Sequence, residues 1–135
     1  MKELSVEATV ANIGTVTAFV EEALEAAGCP MKTMMQIDVA IDELFGNIAR
    51  YAYAPRTGTA VVRVETDEAA REVSLTFEDS GVPFDPVKKQ DPDITLSAKD
   101  RKPGGLGIFI TKKLMDEIAY EYRNGRNVLS FSKKL

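Results

Sequence analysis

A chain of 135 residues that is 44% hydrophobic and 28% charged has the apolar material for one core and is too short for two domains of usual size. Its 17 Lys and Arg against 21 Asp and Glu give a net charge of -4, so no basic field for nucleic acid is expected. Histidine is absent and Cys29 is the one cysteine, which excludes an internal disulfide, a multi-thiolate zinc site and a His-dependent catalytic triad.

The first segment, MKELSVEATVAN, has no uninterrupted apolar stretch of the kind a secretory leader needs. No later apolar run reaches the roughly 18 residues that span a bilayer, so a cytoplasmic setting without membrane contact is expected. Residues 4–10, LSVEATV, alternate apolar and polar side chains as a half-buried strand does. Asn12 offers a side-chain oxygen as an N-cap for a helix from about Ile13 to Ala27. The stripe Ile13, Val16, Phe19, Val20, Ala23 and Leu24 keeps the three-and-four spacing, and Gly28 supplies a C-terminal cap. Pro30 opens a second helix, whose apolar positions Met34, Ile37, Ala40, Ile41, Leu44, Ile48 and Ala52 hold the period to about Tyr53, before Pro55 stops it.

The β-branched runs AVVRVET (60–66) and EVSLTFE (72–78), separated by DEAAR, read as a hairpin. Between Asp79 and Gly105 lie four prolines, several charges and no sustained period. That is far longer than a usual connection of roughly 4 to 6 residues, and a lid at about 82–104 is expected. LGIFITKKLMDEI (106–118) reads as a third helix, and AYEYR with VLSFSKKL as a last hairpin around Asn124 and Gly125. The order predicts a single α+β domain over 1–135, a two-layer sandwich with helices on one face of a mixed β-sheet.

Three clusters carry chemistry. In IDVAIDELFGNIARYAY, Glu43 and Asn47 are four apart and share a helix face, pairing a carboxylate that can take a proton with an amide oxygen that can ligate Mg²⁺. A solvated helix face would look the same. Gly46 in mid-helix points to close approach of a strand or a ligand. In FEDSGVPFDP a strand delivers Asp79, a fixed acceptor for an exocyclic amine, and Gly81, where a flat ring can approach the backbone; an ordinary Asx turn also fits. In RKPGGLGIFITKKL a glycine-rich turn feeds a helix N-terminus suited to phosphate, with Arg101 and Lys102 ahead of it, although a flexible hinge has the same composition. It is neither a Walker A loop nor a dinucleotide fingerprint.

In this order and spacing the three clusters resemble the N, G1 and G2 boxes of GHKL ATPases, built on the Bergerat ATP-binding fold. NIARYAY, GVPFDP and PGGLGIFITKKLMDEI, with no phosphoacceptor histidine, are similar to the standalone anti-sigma-factor serine kinases. The resemblance implies binding of ATP or ADP with Mg²⁺, phosphorylation of a serine on a small anti-anti-sigma-like protein, a sequestered sigma factor and a homodimer. It makes Glu43 the general base and Asn47 the Mg²⁺ ligand, with Arg50 and Tyr51 near the phosphates. Asp79 would read the adenine amine and Gly81 would floor the base pocket. Arg101, Gly104, Gly105, Leu106, Gly107 and Ile108 would surround the phosphates. Tyr51 stands where a histidine is frequent, and Asn127 takes the approximate place of a threonine near adenine. A non-catalytic, ATP-gated binding module is the alternative function, and the retained Glu43 argues against it.

Overall fold

The computed structural model describes residues 1–88 and 106–135. Strand β1 (Lys2–Glu7) leads through a single 3-10 turn at Val10–Asn12 into helix α1 (Ile13–Ala26) and then α2 (Met31–Asn47). Strands β2 (Thr59–Asp67) and β3 (Glu72–Asp79) follow, then helix α3 (Leu106–Leu114) and the hairpin β4 (Glu117–Arg123) and β5 (Arg126–Lys134). The described helices pack on one face of a five-stranded sheet of order β1-β2-β3-β5-β4, so the α+β two-layer sandwich is observed.

The sheet is antiparallel at every described pairing rather than mixed. The cause lies in the last hairpin. β5 carries Leu129 and Phe131, both buried, and inserts beside β3, while β4 (EIAYEYR), with its charged side chains, takes the edge where water reaches them. β4 therefore runs parallel to β3 without pairing with it. Asn124 and Gly125, at φ 54° and 76°, make the expected tight turn between the two strands.

The core forms where the helix stripes meet the inward residues of β2, β3 and β5. Phe77 of β3 sits at its centre, edge-on to Phe45 of α2 (ring centroids 5.8 Å apart) and to Phe131 of β5 (5.3 Å). All three rings are buried, and such pairs add about 0.5–1.5 kcal/mol beyond area burial. On the opposite face, Arg63 bridges Glu3 (2.8 Å) and Glu78 (3.3 Å), and Arg126 reaches Glu78 from the other side at 2.8 Å. Burial alone would raise the Glu78 carboxyl, but the two arginines outweigh it and hold it below the usual range.

Local boundaries follow their hydrogen bonds. Gly28, at φ 73°, closes α1 in a Schellman arrangement, with its N–H donating to Glu25 O (3.0 Å) and Cys29 N–H donating to Leu24 O (3.0 Å). Asn12 does not cap α1 by its side chain. Its backbone is already near-helical (φ -92°, ψ 1°), and its Nδ2 turns back to donate to Glu7 O at 2.8 Å. α2 ends as a helix at Asn47 and widens into one π-turn over Ile48–Ala52, short of the expected Tyr53. α3 stops at Leu114 instead of Ile118. There Lys133 Nζ donates to the Leu114 carbonyl (2.7 Å), and the Asp116 N–H donates to Ser132 O (3.0 Å), pulling the chain into the sheet.

Candidate functional site

A cavity of about 320 Å³ opens between the C-terminal part of α2, the segment after β3, and α3. That volume lies in the range of small-molecule sites, roughly 300–1,000 Å³. Leu44, Ile48, Ile108 and Leu129 give it apolar walls, and Asn47, Tyr51, Asp79 and Asn127 supply the polar groups. The π-turn matters here, because widening the helix by one residue per turn re-aims Tyr51 and Ala52 toward the opening.

Asp79 is 3% exposed and sits directly opposite Asn127 in the β3–β5 register. Its Oδ1 accepts from Gly81 N–H (2.8 Å) and Asn127 Nδ2 (2.9 Å), while no hydrogen bond to Oδ2 is made among the described residues. Asn127 is a hub. Its Nδ2 also donates to Val82 O (3.0 Å), and its Oδ1 accepts from Phe84 N–H (3.2 Å) and from the Tyr120 hydroxyl. Burial pushes the Tyr120 phenol above its ordinary range, which keeps the proton it donates. Asn127 thus ties the strand-end carboxylate to the segment 82–84 that forms one wall.

Gly81 does not line the cavity. A Cβ there would lie 2.6 Å from the Ala52 carbonyl carbon, so the close packing of the π-turn already requires glycine at this position. The Val82 N–H donates to that same Ala52 carbonyl at 2.9 Å, locking the two segments. Tyr53, which sequence reasoning passed over, fastens the same corner. Its hydroxyl donates to Thr59 O (2.7 Å) and accepts from Ser80 N–H (2.7 Å), and its ring covers Gly58.

Of the other expected residues, Asn47, Tyr51, Ile108 and Asn127 meet around the cavity with Asp79. Glu43 stands one turn before Asn47, outside the cavity wall, with its carboxylate against Gly107 in the first turn of α3. Arg50 is exposed and folds its guanidinium back over Gly46: a Cβ at Gly46 would lie 2.7 Å from Arg50 Nη1 and 3.8 Å from Ile13 of α1. The glycine therefore accommodates a neighbouring side chain, not a strand. Arg101, Gly104, Gly105 and the lid beyond Lys88 lie outside the described residues, and Leu106 is described only as the start of α3. The lining residues Val82, Phe84, Pro86 and Leu129 were not assigned to a site from sequence, and Ile48 was read only as part of the apolar stripe of the second helix, although Leu44, Ile48 and Ala52 share one face at spacing four.

Among the described residues no cluster of three or more His, Cys, Asp or Glu could hold a metal, and no helix is long and apolar enough to cross a membrane. A magnesium ion carried by a nucleotide needs only one or two protein oxygens, which fits a site offering the Asn47 amide.

The model of the histidine kinase-like ATPase domain matches residues 6–133. The serine/threonine-protein kinase BtrW of Bordetella bronchiseptica is 30% identical over 96 residues, covering 71% of this chain and 67% of that protein. The serine-protein kinase RsbW of Staphylococcus aureus is 20% identical over 137 residues, covering 97% of this chain and 84% of that protein.

Proposed function

The chain belongs to the histidine kinase-like ATPase domain family, and from that premise we propose that it is a Mg-ATP-dependent protein serine/threonine kinase of the anti-sigma type. Its substrate would be a serine on a small anti-anti-sigma-like protein, and a sigma factor would be the partner it otherwise sequesters, in the cytoplasm and as a homodimer. The observation that carries the reading is Asp79, a buried carboxylate held by Gly81 and Asn127 at the polar end of an apolar cavity.

In this reading adenine lies between the Ile48, Ile108 and Leu129 side chains and donates its exocyclic amine to Asp79. The phosphates extend toward the N-terminal turn of α3, since the first-turn N–H groups of a helix favour negative charge. Asn47 would hold Mg²⁺ through its amide oxygen, and bound Mg²⁺ would neutralise charge on the phosphate oxygens. Glu43 takes the proton of the incoming serine hydroxyl while that oxygen bonds to the γ-phosphorus and the bridge to ADP breaks.

A second reading, an ATP-gated binding module without transfer, draws on the position of Glu43 outside the cavity wall. Incubation with γ-labelled Mg-ATP and candidate small serine-bearing regulatory proteins separates the two. Label should reach the serine, and Glu43→Gln should cut the rate by roughly 10²- to 10⁴-fold. Nucleotide binding without transfer by the parent protein would favour the module.

A further inference from the structure

Gly107 and Glu43 are 64 positions apart, on different helices, yet they occupy one space. A Cβ built on Gly107 would overlap the Glu43 carboxylate, lying 2.8 Å from Oε1 and closer still to Cδ and Oε2. No rotation of such a Cβ relieves this, because its place is fixed by the backbone of α3, and α3 is itself anchored by the buried Ile108 and Thr111 on either side of the next turn. Thr111 Oγ1 further donates to the Gly107 carbonyl at 2.9 Å. The Glu43 carboxylate is the movable party, being the end of a flexible side chain on α2.

We propose that Gly107 is a positioning residue: its missing side chain is the space in which the Glu43 carboxylate is held. The glycine's conformational freedom is not what is needed, since it sits inside a helix with ordinary backbone. Nor is it only the backbone N–H, which any residue but proline supplies. What alanine cannot supply is the gap. Without it Glu43 swings aside at little cost in stability and leaves the side of the site where a serine hydroxyl would meet the nucleotide. The consequence for turnover rests on Glu43 being the base. The contact itself does not.

The test uses the full chain with Gly107→Ala, Glu43→Gln and the double variant. Gly107 lies at the turn where the phosphates are placed, so each variant is assayed at its own saturating Mg-ATP, which separates turnover from any change in nucleotide affinity. Phosphoryl transfer at saturating Mg-ATP should fall by roughly 10- to 10³-fold, because a displaced base loses much of what a correctly placed one contributes. Adding Glu43→Gln should then cost less than about threefold more, since the two changes remove one and the same contribution. Full turnover in Gly107→Ala, or losses that multiply in the double variant, would overturn the proposal. If the parent transfers no phosphate the kinase reading fails, and the contact is decided separately by NMR. Cross-peaks between Gly107 Hα and the Glu43 side chain are expected, and their absence overturns it.

Discussion

Replacing Asn127 by alanine removes the group that joins Asp79, Val82, Phe84 and Tyr120. One lost bond is to a carboxylate, which contributes about 1.5–3 kcal/mol, and the others are neutral bonds of about 0.5–1.5 kcal/mol each. At 6% exposure Asn127 is nearly closed to water, so its former partners are left short in a poorly hydrated place. The cavity beside them admits some solvent to the vacated position, and a net loss of about 2–4 kcal/mol is expected. That is a large part of the roughly 5–15 kcal/mol of a typical domain. Urea unfolding followed by far-UV dichroism should show a lower midpoint with an unchanged slope, because the surface exposed on unfolding barely changes. Mg-ATP affinity should fall too, as one cavity wall loses its tether. A destabilisation below about 1 kcal/mol with parental nucleotide affinity would refute the hub role.

Three further outcomes probe the corner beside the cavity and, apart from it, helix α2. Gly81→Ala forces a Cβ into the Ala52 backbone, which cannot swing aside, and should cost at least about 1–3 kcal/mol in the same unfolding assay; a smaller loss would mean the corner yields. Tyr53→Phe removes two bonds at the same corner and should cost about 1–3 kcal/mol, with amide exchange at Ser80 accelerated. Asp38 has a buried Oδ1 with no hydrogen-bond partner among the described residues, and burial, then the charge of Glu21, push its carboxyl up to about 6. A carboxyl raised in the folded state destabilises it once ionised, so Asp38→Asn should add stability on the order of 1–2 kcal/mol above pH 6, allowing for partial exposure. The gain should fade as pH falls from about 6 to 4, and thermal midpoints across that range check it.

The helices were legible because their apolar stripes hold one period, and Gly28 announced the end of the first. The end of the third was not. Met115 to Ile118 continue a helical pattern equally well, and only Lys133 and Ser132, from the far strand, stop the helix at Leu114. Strand order was likewise non-local, since it turns on β5 outcompeting β4 for the place beside β3. Within the site, sequence picked out Asp79, Asn47 and Asn127, but their meeting depends on a register spanning 48 residues. Gly81 was read as admitting a flat ring and Gly46 as meeting a strand or a ligand, whereas the protein neighbours that crowd them are the Ala52 backbone and the Arg50 side chain, which the local sequence does not announce.

The central claim is that the cavity beside Asp79 holds an adenine nucleotide. Calorimetric titration of the parent and of Asp79→Asn with Mg-ATP and Mg-GTP tests it most directly. The parent should bind Mg-ATP in preference to Mg-GTP, and Asp79→Asn should weaken Mg-ATP by on the order of 1–3 kcal/mol while narrowing that preference. No heat of binding and no thermal shift with saturating Mg-ATP, or an Asp79→Asn variant that binds as the parent does, would contradict it.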